Sequence, residues 1–209
     1  KFILLDMGDA FLSLNLEERD LAYCLKGDIF YTDLLPGKAA IAAAQAAFEH
    51  GKKVVCNLQI GLPLMEGMGV SREDILGVLK YVDVFAPCRE GLFALAGTED
   101  LREALRFLRP YFSGLLLVTL GGEGSAAFDE ADRETRIFIP RAEVVDTTGA
   151  GDSYLGAFIH AYLIAKMPLR EAMEFAACCA AMTCGKIGAR SGPNLMEAEE
   201  FLPHAEWKA

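Results

Sequence analysis

Apolar positions along the chain follow two alternating patterns. Short unbroken runs suit buried strands, and longer stretches with apolar residues every three or four positions suit helices packed on one face. The runs Phe2–Met7, Asp28–Tyr31, Lys53–Asn57, Val84–Ala86 and Gly114–Leu120 predict strands. The periodic stretches Asn15–Cys24, Pro36–His50, Ser71–Val82, Glu90–Ala96, Glu99–Phe107, Asp152–Lys166, Leu169–Thr183 and Met196–Leu202 predict helices. Local chemistry sets some ends. Gly51 is a natural stop, and Ser71 is an N-cap with Glu73 and Asp74 in the first turn. Ser125–Phe128 and Arg136–Ile139 predict a hairpin across the charged loop Asp129–Glu134.

Strands alternating with helices predict an α/β fold whose mostly parallel sheet is covered on both faces. No repeat, low-complexity tract or linker divides the chain, so residues 1–209 are expected to form a single domain. The first residue is Lys1, inside an apparent strand, whereas a complete domain more often opens on polar residues. The expectation is a chain whose front part is missing.

Composition narrows the function. Hydrophobic residues at 53% and charged residues at 24% fit a packed globular protein rather than a disordered one. A formal net charge of -10 repels nucleic acid and anionic membrane, so neither is expected as a general partner. Any polyphosphate must then be held by local features. No apolar run is long enough to span a membrane, and no signal-peptide cleavage site follows the first residues. The 6 cysteines form no C-x-x-C pair and lie mostly in apolar stretches, which predicts buried free thiols and a cytoplasmic protein. His50, His160 and His204 are too dispersed for a zinc cluster.

The chemistry concentrates in residues 144–158. An apolar pair, Val144-Val145, predicts a short strand that runs into the small turn Gly149-Ala150-Gly151, and the turn opens the helix bearing Asp152. Such a turn lets an anion approach unpaired N–H groups at the positive end of a helix. Asp152 is open to two readings: an N-cap, or a proton acceptor for a hydroxyl attacking a bound phosphoryl group. Tyr154 stands where a dinucleotide fingerprint needs glycine. The Gly-Lys pairs are followed by Ala39, Lys53 and Ile187, so no Walker A loop exists.

The run Asp146-Thr147-Thr148-Gly149-Ala150-Gly151-Asp152 resembles the D-T-x-G-A-G-D signature of the ribokinase-like (phosphofructokinase-B) carbohydrate kinases. Residues 117–124, Leu-Val-Thr-Leu-Gly-Gly-Glu-Gly, resemble that family's V-T-x-G-x-x-G strand and turn. Residues 185–193 resemble its loop closing the adenine and cation sites. The resemblance implies a ribokinase-like three-layer α/β/α sandwich. It also implies transfer of the γ-phosphoryl of ATP to a sugar hydroxyl, with Mg2+ and a monovalent cation such as K+. Asp152 would be the catalytic base, and Gly149, Ala150 and Gly151 the anion hole. Thr119, Gly121, Gly124 and Gly188 would contact the nucleotide, and Asp146 and Thr148 would lie at the monovalent-cation site. Small residues from Ala176 to Ala181 would let their helix pack closely, and Tyr154 and His160 would be packing residues.

Three departures qualify this. Cys88 and Gly91 stand where the family carries the N-x-x-E that helps hold magnesium, leaving the adjacent Glu90 as the candidate Mg2+ ligand and Arg89 as a charge that could meet phosphate. Ala177 stands where some relatives have Asn. The family's front third, with its lid and sugar-gripping Asp, has no counterpart. The chain alone is therefore expected to turn over little, and to expose apolar faces that favour a homodimer. A non-catalytic nucleotide-binding relative and a nucleoside kinase are the alternatives.

Overall fold

The structure is a computed structural model that describes residues 13–208. The strand expected at Phe2–Met7 lies outside them. The chain divides into two compact units, one running to Val118 and taking in Asp129–Ala131, the other formed by Thr119–Phe128 and the chain from Asp132 onward.

The first unit follows the predicted alternation. Its elements are α1 (Glu18–Cys24), β1 (Ile29–Thr32), α2 (Gly37–Glu49), β2 (Lys53–Leu58), α3 (Leu62–Gly67), α4 (Arg72–Val78), β3 (Val84–Pro87), α5 (Arg89–Ala96), α6 (Leu101–Leu108) and β4 (Leu115–Thr119). The strand β4 ends on the first residue of the second unit. All four strands run parallel in sequential order, with Tyr31 opposite Val55, Val55 opposite Val84 and Val84 opposite Leu115. That arrangement requires the helical crossovers the sequence supplies. The helix α2 packs on β1 and β2, and its buried residues Ala39, Ala40, Ala43, Ala44 and Ala47 are small enough to permit close approach.

Asp83 ties three strands together. Its carboxylate accepts from Val54 N–H at 2.8 Å and from Lys53 Nζ at 2.6 Å, while its carbonyl accepts from Leu115 N–H at 2.9 Å. Gly114 passes so close to that carbonyl that a Cβ would collide with it. Phe85 and Phe112, both buried, meet edge-on with centroids 6.0 Å apart.

Ser71 caps α4 as expected: Oγ accepts from Asp74 N–H at 3.1 Å, and the Asp74 carboxylate accepts from Ser71 N–H at 3.0 Å. The helix is shorter than predicted, because a 3-10 turn over Leu79–Tyr81 takes its last residues. Ser71→Ala should lower the unfolding free energy by about 1 kcal/mol, read as a lower urea midpoint at unchanged m-value.

The second unit contains β5 (Ser125–Phe128), β6 (Glu134–Ile137), α7 (Ala150–Phe158), α8 (Leu169–Cys184) and α9 (Leu195–Phe201). The hairpin β5–β6 is antiparallel, with Ser125 opposite Ile137 and Phe128 opposite Glu134. Its second strand starts earlier than expected and excludes Phe138, which is 48% exposed. Gly124 sets this register. It takes φ 98 against the Ile137 carbonyl, where a Cβ would collide.

The long helix predicted from Asp152 to Lys166 starts at Ala150 and becomes a π-helical turn over Ile159–Ile164. It packs along α8, where the small residues Ala176, Ala177 and Ala181 are buried. No helix among the described residues is long and apolar enough to cross a membrane.

Cys56, Cys178 and Cys179 are buried, while Cys24, Cys88 and Cys184 are half-buried; all six are free thiols. Burial pushes Cys178 up to about 12 and Cys179 up to about 11, so both stay protonated and unreactive near neutral pH.

Candidate active site

The site is built at the start of α7. Gly149 is the N-cap and takes a left-handed φ of 82, a conformation glycine adopts without steric cost. A Cβ there would collide with the Ala189 backbone. The Gly149 carbonyl accepts the first helical bond, from Ser153 N–H at 2.9 Å. Ala150 N–H donates to the Thr147 carbonyl at 3.3 Å. The next two donors, Gly151 N–H and Asp152 N–H, have no acceptor among the described residues. They are the orphan donors of a helix start, with the positive end of the helix dipole behind them.

Asp152 lies in this same turn. Its side chain is exposed and has no hydrogen-bond partner among the described residues. The N-cap alternative fails because Gly149 holds that position.

The approach to the turn differs from expectation. Val144 and Val145 form no strand and are 60% and 52% exposed. A strand needs a ladder partner. Here Val145 N–H and Asp146 N–H both donate to one helix-end carbonyl, that of Cys184, at 2.8 and 3.1 Å. Asp146 then clasps the next loop. One carboxylate oxygen accepts from Thr148 N–H at 3.0 Å and Thr148 Oγ1 at 2.7 Å, and the other accepts from Gly188 N–H at 3.1 Å.

Side chains absent from the family motif anchor this assembly. Thr183 Oγ1, on a fully buried residue, lies 2.8 Å from both Ser153 Oγ and the Cys179 carbonyl. Ser191 Oγ lies 2.7 Å from the Gly188 carbonyl and 3.2 Å from that of Thr183. The first turn of α7 and the loop 185–193 are thus tied to the last turns of α8. Tyr154 has its hydroxyl 2.7 Å from Ser125 Oγ, and burial pushes its phenol well above the usual range, so it stays neutral; it also lines a cavity beside the turn. His160 lies beside Phe175, ring centroids 6.4 Å apart, and is a packing residue.

A cavity of about 420 Å³ opens beside the turn. That is within the roughly 300–1,000 Å³ of small-molecule pockets. Thr119, Gly121, Gly124, Ala150 and Gly151 line it, so the structure brings together five of the residues named from the sequence. Gly121 takes φ 59 in a tight 3-10 turn, closed by Leu120 N–H donating to the Gly124 carbonyl at 2.8 Å. The opposite wall is Ala177, Ala180 and Ala181 of α8, a smooth apolar surface suited to a flat ring. Lys208 also lines the cavity.

Glu90 belongs to the first turn of α5, in the first unit. Cys88 caps that helix, its Sγ accepting from Gly91 N–H at 3.3 Å. Gly91 is pressed on the Leu58 carbonyl, 2.7 Å from where a Cβ would sit, so the position has no room for the family's glutamate. Among the described residues no three His, Cys, Asp or Glu side chains are grouped to cage a metal ion.

This arrangement can cradle an anion at Gly151 and Asp152, receive a larger group in the adjoining cavity, and take a proton on Asp152. Comparison with known proteins bears on the family and the fold. The model of the pfkB family carbohydrate kinases matches residues 6–195. A Schizosaccharomyces pombe ribokinase is 30% identical over 175 residues, covering 79% of this chain and 51% of the relative. Among solved structures, Sinorhizobium meliloti adenosine kinase matches with TM-score 0.76 at 28% identity, over 93% of this chain and 59% of that one. The Escherichia coli putative ribokinase II, in complex with ATP and Mg2+, matches with TM-score 0.76 at 20% identity, over 88% and 61%. The fold is the ribokinase-like α/β sandwich expected from the sequence. The chain spans about half the length of the curated relatives it matches. It belongs to the pfkB family of carbohydrate kinases.

Proposed function

We propose that this chain supplies the nucleotide-binding and catalytic part of a kinase that transfers the γ-phosphoryl group of ATP to a sugar hydroxyl. The observation that carries the reading is the start of α7, where two unpaired N–H donors and the Asp152 carboxylate share one turn beside the cavity. Asp152 accepts the proton of the attacking hydroxyl. The hydroxyl oxygen forms its bond to the γ-phosphorus as the bond from phosphorus to the β,γ-bridging oxygen breaks, and ADP leaves with that electron pair. Gly149, Ala150 and Gly151 shape the turn whose N–H groups face the charge gathering on the phosphoryl oxygens.

Thr119, Gly121, Gly124 and Gly188 bound the nucleotide, with the base against the alanines of α8. Mg2+ arrives with the nucleotide, as in the E. coli complex. Asp146 holds loop 185–193 through Gly188 N–H and is itself bonded by Thr148, and a monovalent cation would join Asp146 and Thr148 there. The free thiols suit a reducing cytoplasm. Exposed Val144, Val145 and Ile187 (83%) favour association with a second copy.

A nucleoside acceptor is the second reading, favoured by the adenosine kinase relative. The test is ADP release from Mg-ATP against a panel of sugars and nucleosides, with this chain and with any longer protein containing it. Sugar-dependent release supports the proposal, and nucleoside-dependent release moves the assignment to the second reading. ATP binding without turnover on any acceptor, in the longer protein, would leave a non-catalytic relative.

A further inference from the structure

Lys208 has no counterpart in the family motifs, yet it lines the cavity beside α7. Main-chain pairing puts it there. Lys208 N–H donates to the Ile139 carbonyl at 3.1 Å, Trp207 bridges Pro140, and Arg141 N–H donates to the Glu206 carbonyl at 2.6 Å. Ile139 and Pro140 line the same cavity, so the segment carrying Lys208 is laced to the wall itself. The lacing uses backbone atoms and does not depend on the lysine side chain.

The chemistry around Lys208 is one-sided. Its ammonium group makes no ion pair or hydrogen bond among the described residues, and no other residue lining the cavity is charged. Lys208 is exposed, and in a chain of net charge -10 it is the charged residue lining this cavity, so an anionic ligand entering it meets a positive charge. The cavity also contains Gly151, one of the two unpaired N–H donors at the start of α7. Two separate elements therefore offer positive potential to one space, and the ligand that space suits is both anionic and ring-bearing.

We propose that Lys208 is a nucleotide-binding residue whose ammonium group attracts the polyphosphate of the bound nucleotide. This rests on the ATP reading above. The charge complements what the α7 turn supplies through N–H groups alone, and it acts on the phosphates rather than on the neutral base.

The chain's single tryptophan is Trp207, beside Lys208, so its fluorescence reports occupancy directly. ATP, ADP and adenosine are titrated into wild type, Lys208→Ala and Lys208→Arg at low and moderate salt. In Lys208→Ala the Kd for ATP should rise about tenfold, the size expected for losing one charge-assisted contact. The Kd for adenosine should stay unchanged, and the salt dependence of ATP binding should weaken. Lys208→Arg should keep most of the affinity. An ATP affinity in Lys208→Ala within twofold of wild type overturns the proposal. So does an equal loss for adenosine, or an arginine variant as weak as the alanine one. If wild type binds neither ATP nor ADP, the nucleotide reading itself fails, an outcome separate from failure at Lys208 alone.

Discussion

Asp152→Asn should lower kcat by about 10²–10⁴-fold, the usual contribution of a positioned general base, while the Kd for ATP stays the same or falls. The direction of the affinity change follows from charge. A carboxylate beside bound phosphates repels them, and the amide does not. The folded state should be little affected. Asp152 is exposed and gives up no side-chain hydrogen bond among the described residues. What it loses is a favourable interaction with the N-terminal end of the α7 dipole, about 0.3–1 kcal/mol. Steady-state kinetics on the longest natural protein containing this chain, paired with ATP titration, separates the two effects. A kcat within threefold of wild type would remove Asp152 from the chemistry and leave it as a first-turn carboxylate that only stabilises the helix.

The geometry of the proposed catalytic turn was legible in the sequence because it is local. The left-handed N-cap, the two free N–H groups and the carboxylate all come from Gly149 to Asp152, and a strip of consecutive residues carries the whole device. Helix ends set by neighbouring side chains were legible for the same reason, as at Ser71 and Asp74. Where the reading went astray, the deciding contact came from far along the chain. Val144-Val145 has the composition of a strand, but its N–H groups are claimed by the end of α8. The β6 register depends on Gly124 meeting Ile137 across the hairpin. The helix α3 was not among the predicted elements; Pro63 lies in its first turn, where the missing N–H costs nothing. The π-helical turn after α7 closes where Ala165 N–H reaches back to the His160 carbonyl at 2.8 Å and Met167 N–H to that of Ala161 at 2.9 Å. Ser153 with Thr183, and Lys208 with Ile139, are pairings of the same long-range kind, and no motif spacing announces them.

Gly149→Ala should be among the most damaging single-methyl changes in the second unit, costing about 2–5 kcal/mol. Two costs add. An alanine at φ 82 pays the left-handed penalty, and its Cβ has no room, since the Ala189 carbonyl carbon and Cα would both lie 2.9 Å away. Relief would require moving the loop 185–193, which Asp146 holds through Gly188 N–H and Ser191 ties to the Thr183 carbonyl. Against a typical domain stability of about 5–15 kcal/mol, the change consumes a large fraction of the total. It should also displace the N–H groups of Gly151 and Asp152, so nucleotide affinity falls even where the protein remains folded. Gly156→Ala supplies the opposite sign on the same helix. Gly156 is exposed, has nothing within 4 Å of an added Cβ, and lies in the helical interior, where alanine is favoured by about 0.5–1 kcal/mol. Urea unfolding of the two variants, with ATP titration of each, therefore tests the turn rather than glycine content. If Gly149→Ala unfolds at the wild-type midpoint, the left-handed cap against Ala189 is not the conformation that holds the site, and the anion cradle built on it falls as well.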